Sequence, residues 1–248
     1  MSSGVILAFD AATPRCVVAV GAIEGGSARL LASDDEDDGA NQASSRLVPR
    51  IEAVLRRAGV GWGDLAAVAC GRGPGTFTGT RVAVATAQGI ALGRGLPVVP
   101  VSTLAAQAAS ADGGGRVLAV LDARRDEVYG APFECGFAGS LPTVERVGDE
   151  VCAALGEVVA RAAESGEITR VIGPGVAPYE AALDEALRAR AVAMPGPTPL
   201  GLWRAAVAAS IRGERCDAAA LDAVYLRKSY AELGLNTPKR PRWHSPFV

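Results

Sequence analysis

Histidine is nearly missing from this chain of 248 residues: the only one is His244, close to the C-terminus. That excludes a Ser-His-Asp or Cys-His catalytic centre within the body of the fold, and the paired-histidine metal sites of most hydrolases. The five cysteines are odd in number, and no two stand at metal-ligand or redox spacing, so reduced thiols in a cytosolic protein are expected. No excess of either charge is present. A net charge of −2 argues against a surface that grips nucleic acid unaided, so any contact with RNA would be local or shared with a partner. The opening "MSSGVILAFD" has no basic leader region, and Gly, Arg or Gln interrupts every apolar run well short of membrane length. A protein of the cytoplasm, without a membrane association, is the expectation.

What is present is an alternating α/β pattern. Val5 to Glu24 reads as strand, tight turn at Thr13-Pro14, strand. An acidic run from Asp34 to Asp38 reads as a solvated loop. Leu47, Ile51, Val54, Leu55 and Ala58 then recur at helical spacing, with Pro49 either opening or kinking the helix and Gly59 ending it. A short buried strand, Leu65 to Gly71, feeds "CGRGPGTFTGTR", and a helix follows. Another strand leads to a helix starting near Ser102. After Asp112 to Gly115 the order begins again: a hairpin from Arg116 to Glu134, a helix at about Asp149 to Glu164, then strand, Gly173-Pro174-Gly175, helix. Asp10 and Asp122 hold matching places in the two hairpins. The recurrence predicts a duplicated α/β unit, two lobes of actin-like, sugar-kinase-like architecture.

The glycine loop fits neither common phosphate-binding fingerprint. A P-loop needs Gly-Lys-Ser/Thr, and Gly79 is followed by Thr80 and Arg81; a dinucleotide loop needs glycine where Thr78 stands. Pro74 removes one backbone donor. It reads as a tight strand-to-helix connection. The glycines, the threonine hydroxyls and the following helix N-terminus keep an anion site open as the alternative.

The helix after the loop is small and apolar nearly all round, so it must be covered on two sides. One side suits its own sheet and the other needs a neighbour. The Leu47 helix carries Arg46, Arg50 and Arg57 beside its apolar stripe. These arginines form either a solvated edge or the charged rim of a docking face made by the two helices.

Five segments, in order, resemble the TsaB (YeaZ-type) family: "ILAFDAATPRCVVAV", "SSRLVPRIEAVL", "AVACGRGPGTFTGTRVAVATAQGIALGRGLPVVPVSTL", "DARRDEVY" and "AVYLRKSYA". The resemblance implies an actin-like (ASKHA, RNase H-like) duplicated two-lobe fold, related to the TsaD/Kae enzymes. It implies residues 1–112 as the first lobe, 113–197 as the second, 198–230 as a helix and strand packing across both, and 231–248 as a basic tail. It further implies a part in making threonylcarbamoyladenosine next to the tRNA anticodon, as a non-catalytic partner docking on TsaD with TsaE assisting. The same face would form a homodimer when the chain is alone, and tRNA would be met through the complex. The docking positions carried over are Arg46, Leu47, Arg50, Val82, Ala83, Thr86 and Ile90.

No catalytic or metal residue is expected. The catalytic relatives hold a metal through His-x-x-x-His on the first helix, where this chain has Ala43. No cofactor of its own is expected; ATP or ADP, if bound, would sit at the interface with TsaD, near Asp10, Gly73, Gly75 and Thr76. The competing reading is an actin-fold ATPase or kinase with Asp10 and Asp122 holding magnesium; the bland one is that each caps a hairpin turn. A peptidase would need Ser-Lys or Thr chemistry with Lys228 or Lys239 near the C-terminus. Lys239, Arg240, Arg242 and Trp243 in the tail read either as a frayed terminus or as a contact with RNA or partner.

Overall fold

Runs such as Leu7–Phe9 and Val17–Val20 are buried at every position, so the strands they form need cover on both faces. The computed structural model, which describes residues 4–34 and 43–227, provides that cover with two sheets and helices on each side of both. The first sheet holds β1 (Gly4–Asp10), β2 (Val17–Glu24), β3 (Ser27–Asp34), β4 (Leu65–Gly71) and β5 (Val98–Val101), in the order β3-β2-β1-β4-β5. β1 pairs antiparallel with β2, from Gly4↔Ile23 to Asp10↔Val17, and parallel with β4. The second sheet holds β6 (Gly115–Arg124), β7 (Glu127–Ala138), β8 (Leu141–Arg146), β10 (Arg170–Ile172) and β11 (Ala191–Val192), with β9 (Val151–Ala153) pairing on β7. Its order, β8-β7-β6-β10-β11, repeats the first sheet strand for strand, antiparallel pairs then parallel ones. This is the duplicated α/β unit of the actin-like class.

Helices complete five layers. α1 (Ala43–Ala58) and α2 (Phe77–Arg94) cover the outside of the first sheet, sharing a core with Leu7, Phe9, Val18 and Val68. α4 (Leu155–Ala163) and α5 (Val176–Tyr179) cover the outside of the second. α3 (Thr103–Ala108) and α7 (Pro199–Ile211) lie between the sheets in one continuous core that takes residues from both. α7 touches β2 of the first sheet and β8 of the second, and nearly its whole length is buried. A short helix, α6 (Glu185–Ala189), leads into β11. No helix among the described residues is long and apolar enough to cross a membrane.

Several expectations change. β3 and β8 are strands that the sequence does not announce: the first runs directly into the acidic stretch, and the second is only six residues long. The helix expected from Asp149 begins at Leu155, because Val151–Ala153 pairs with Val128–Gly130 instead. Pro49 lies inside α1, while Gly59 at φ 67° ends it. After α7 the described chain forms no strand, only a single bridge between Cys216 and Val98. Asp35 to Asp38, Lys228, Lys239, His244 and the basic tail lie outside the described residues.

The two hairpins share the bond that opens the turn. Asp10 Oδ1 accepts from the Ala12 N–H at 2.7 Å, and Asp122 Oδ1 from the Arg124 N–H at 2.7 Å. The second turn is strained, with Arg124, Arg125 and Asp126 at φ 63°, 58° and 61°, where side chains cost about 1–2 kcal/mol each. Asn-Gly is the favoured pair for such a turn. Arg125→Asn with Asp126→Gly is expected to stabilise the chain by about 1 kcal/mol, read as a higher midpoint in urea. An unchanged or lower midpoint would show that contacts made by these side chains outweigh the strain.

Candidate functional site

The glycine loop is welded to the first hairpin. The Thr76 N–H donates to Ala12 O at 2.7 Å, and a Cβ added at Gly75 or Gly79 would overlap the carbonyls of Ala12 or Ala11. Only glycine lets the two backbones approach this closely. The Arg72 N–H donates to Val101 O at 2.9 Å, Arg72 O accepts from Val224 N at 2.8 Å, and Gly73 O accepts from Thr103 N at 2.9 Å. Gly73 (φ 93°) precedes a cis Pro74. These four bonds hold the loop against the hairpin, β5, α3 and the chain at Val224, which suits a tight connection that aims α2. Thr76 is exposed at the start of the helix, with no side-chain cap bond.

Asp10 lies beneath this loop with no solvent exposure. Its Oδ2 accepts from the Thr103 hydroxyl at 2.7 Å, so one carboxylate joins the hairpin and the start of α3. Burial pushes its pKa up to about 6, against the lowering effect of its bonds from Ala12 and Thr103. Asp122 is bound equally to its own surroundings, accepting from the Tyr179 hydroxyl at 3.2 Å and lying 3.3 Å from the Arg124 guanidinium. Both aspartates cap hairpin turns.

The helical candidates divide. Leu47, Arg50 and Ala83, carried over as docking positions, are buried within the first lobe. Leu47 and Ala83 fill the core beneath their helices. Arg50 donates to Cys16 O at 3.0 Å and lies 3.5 Å from Asp34. They support the helices from below and offer nothing to a partner. Val82, Thr86 and Ile90 are half-buried, and Arg46 is exposed. The side of α2 that faces outward holds Thr78, Arg81, Ala85, Gly89 and Leu92, with Leu92 68% exposed; Val48 on α1 is 47% exposed. Sequence reasoning recognised that α2 needs cover on two sides, and its positions fall partly on the buried side and partly along the half-buried flank. The signal available was the run of small residues every third or fourth place, Ala85, Gly89 and Gly93.

Comparison with known proteins fits this geometry. Residues 38–174 match the family model described as TsaD, tRNA N6-adenosine threonylcarbamoyltransferase. A Pseudomonas aeruginosa structure described as similar to peptidase YeaZ is 33% identical, covering 92% of this chain and 100% of that one, with a TM-score of 0.75. A second, titled YeaZ from the same organism, is 31% identical, covers 91% and 100%, and has a TM-score of 0.73. This chain belongs to the TsaD family, in its TsaB (YeaZ) branch. The Escherichia coli tRNA threonylcarbamoyladenosine biosynthesis protein TsaB is 40% identical over 132 residues, 52% of this chain and 54% of its own length. The Haemophilus influenzae TsaB is 37% identical over 132 residues, 52% and 53%. The chain therefore spans about half the length of the curated relatives it matches. In this TsaB-branch chain, the matched region includes α1, the glycine loop and α2.

Proposed function

We propose that the chain is a non-catalytic scaffold subunit that docks on a TsaD homologue through the outer face of α2 and the adjoining part of α1. Docking would make it a required component in threonylcarbamoylation of the adenosine next to the tRNA anticodon. The observation that carries this reading is Gly89. It stands mid-helix and exposed, with open space where a Cβ would be. A glycine there costs a lone helix about 1 kcal/mol relative to alanine. Its value lies in letting another backbone come close, and Ala85, Gly93 and the exposed Leu92 extend the same face.

The enclosed Asp10 and the internally bonded glycine loop favour a scaffold over an ATPase. A TsaE homologue joins the complex, tRNA is met through it, and ATP or ADP, if bound, sits where this chain meets the TsaD homologue. A chain without its partner covers the face with a second copy. The work is done in the cytoplasm.

Gly89→Ala tests the reading in two directions. The lone chain should gain about 1 kcal/mol in thermal or chemical unfolding. Affinity for the TsaD homologue, measured by calorimetry, should fall. Greater stability with undiminished affinity would place the partner elsewhere.

A further inference from the structure

The stretch that begins at Ala223 is a sequence signature without a part in the reading above, and its described portion follows a telling course. Beyond α7 the chain returns to the first lobe, where Cys216 and Val98 exchange backbone N–H···O bonds of 2.9 Å at the edge of β5. A short 3-10 turn, Ala218–Ala220, then packs along α2. Leu221 is buried in the core under that helix, and its carbonyl accepts from Gln88 Nε2 at 3.1 Å. Val224 donates to the glycine loop through Arg72 O. The Tyr225 ring lies 5.5 Å from that of Phe77, its hydroxyl accepts from Arg81 Nε at 3.1 Å, and the Arg81 guanidinium lies 3.9 Å over the Phe77 ring. Arg227 then crosses to the second lobe. Its guanidinium donates to Ala123 O at 2.8 Å and lies 3.5 Å from the Glu127 carboxylate, at the base of the β6–β7 turn.

Irregular chain on a surface is ordinarily loose. This one is fastened at almost every second residue, first along α2 and finally on the other lobe. The first turn of α2 is where fastening is needed, since Thr76 supplies no side-chain cap and an uncapped turn frays. Packing by Tyr225 against Phe77 and Arg81 holds that turn through its side chains instead.

We propose that residues 216–227 act as a strap that fixes the first turns of α2 to the second-lobe hairpin, with Tyr225 and Arg227 as positioning residues for the docking face. The proposal rests on the docking reading of α2. Tyr225 holds the start of the helix from the side, and Arg227 is the latch that keeps Tyr225 in place. A partner on α2 would then bind a helix whose aim is set by both lobes.

Hydrogen exchange of the lone chain, with Arg227→Ala and Arg227→Lys, tests this. In Arg227→Ala, exchange is expected to rise about tenfold at Thr80–Ala83, whose amides are the first with acceptors in the opening turn of α2, and in the β6–β7 turn, while β1 and β4 stay protected. Arg227→Lys, which keeps a donor for Ala123 O, should recover part of the protection. Affinity for the TsaD homologue should fall about tenfold in Arg227→Ala, following the loosened helix. Unchanged exchange at Thr80–Ala83 overturns the strap. Raised exchange with wild-type affinity overturns its role in docking. Ala85→Arg with Gly89→Arg, tested alongside, separates that outcome from failure of the docking reading, in which that variant also binds as wild type.

Discussion

At concentrations where both chains are monomeric, a chain carrying Ala85→Arg and Gly89→Arg is expected to melt no lower than the wild type and to lose affinity for the TsaD homologue by about 100-fold or more. Both positions are exposed on α2, and nothing lies above Gly89, so the lone fold has room for two long charged side chains. At the centre of a close helix contact the same groups would be buried without partners, which costs several kcal/mol. The contrast with the supported side of the helix is the control. Ala83→Arg, directed into the core shared with Leu7 and Val68, is expected to unfold the lobe. A loss of binding in that variant would say nothing about docking. Equal affinity in the Ala85, Gly89 variant would remove α2 from the interface.

How far the sequence carried depended on which kind of signal a residue gives. The two matched units were legible because hairpin, glycine turn and helix recur in order, and the equivalent bonds of Asp10 and Asp122 show the repeat extending to single atoms. β3 was hidden by the acidic run that follows it, and β11 by having only two residues. The need of α2 for a second neighbour was recognisable from its small residues. The outward side of the helix was not, because a helix with apolar residues all round has almost no amphipathic direction. Only the placement of Leu221 and α1 against its flanks shows which positions remain free. The strap was unreadable from its sequence for another reason: its fastenings join residues more than a hundred positions apart, as in Arg81 to Tyr225 and Arg227 to Ala123.

Asp10→Asn should make the chain more stable at neutral pH, and the gain should vanish in acid. The buried carboxyl titrates at about 6, above its ordinary value of 3.8. The folded chain therefore holds the proton more tightly than the unfolded chain does. Stability falls as pH rises from about 4 to about 6, and the full penalty, about 3 kcal/mol, is present above that. Asparagine removes the charge while its Oδ1 still accepts from Ala12 and its Nδ2 donates to the Thr103 hydroxyl. Unfolding free energies of the two chains from pH 4 to 8 should diverge upward through that window. A parallel pair of curves with the variant lower throughout would mean that the bonds from Ala12 and Thr103 offset burial and that Asp10 is ionised in the fold, the form a magnesium ligand requires. Asp10→Ala, by contrast, leaves the Ala12 N–H and the Thr103 hydroxyl unpaired at a buried site, costing about 1–3 kcal/mol for each.

The most direct measurement of the account is the threonylcarbamoyladenosine content of bulk tRNA, by mass spectrometry of nucleosides, in cells depleted of this chain. The modified nucleoside is expected to fall away, to be restored by the wild-type chain and by Asp10→Asn, and not to be restored by the Ala85→Arg, Gly89→Arg chain. Restoration by that last variant, or a nucleoside level unaffected by depletion, would contradict a scaffold that acts through α2.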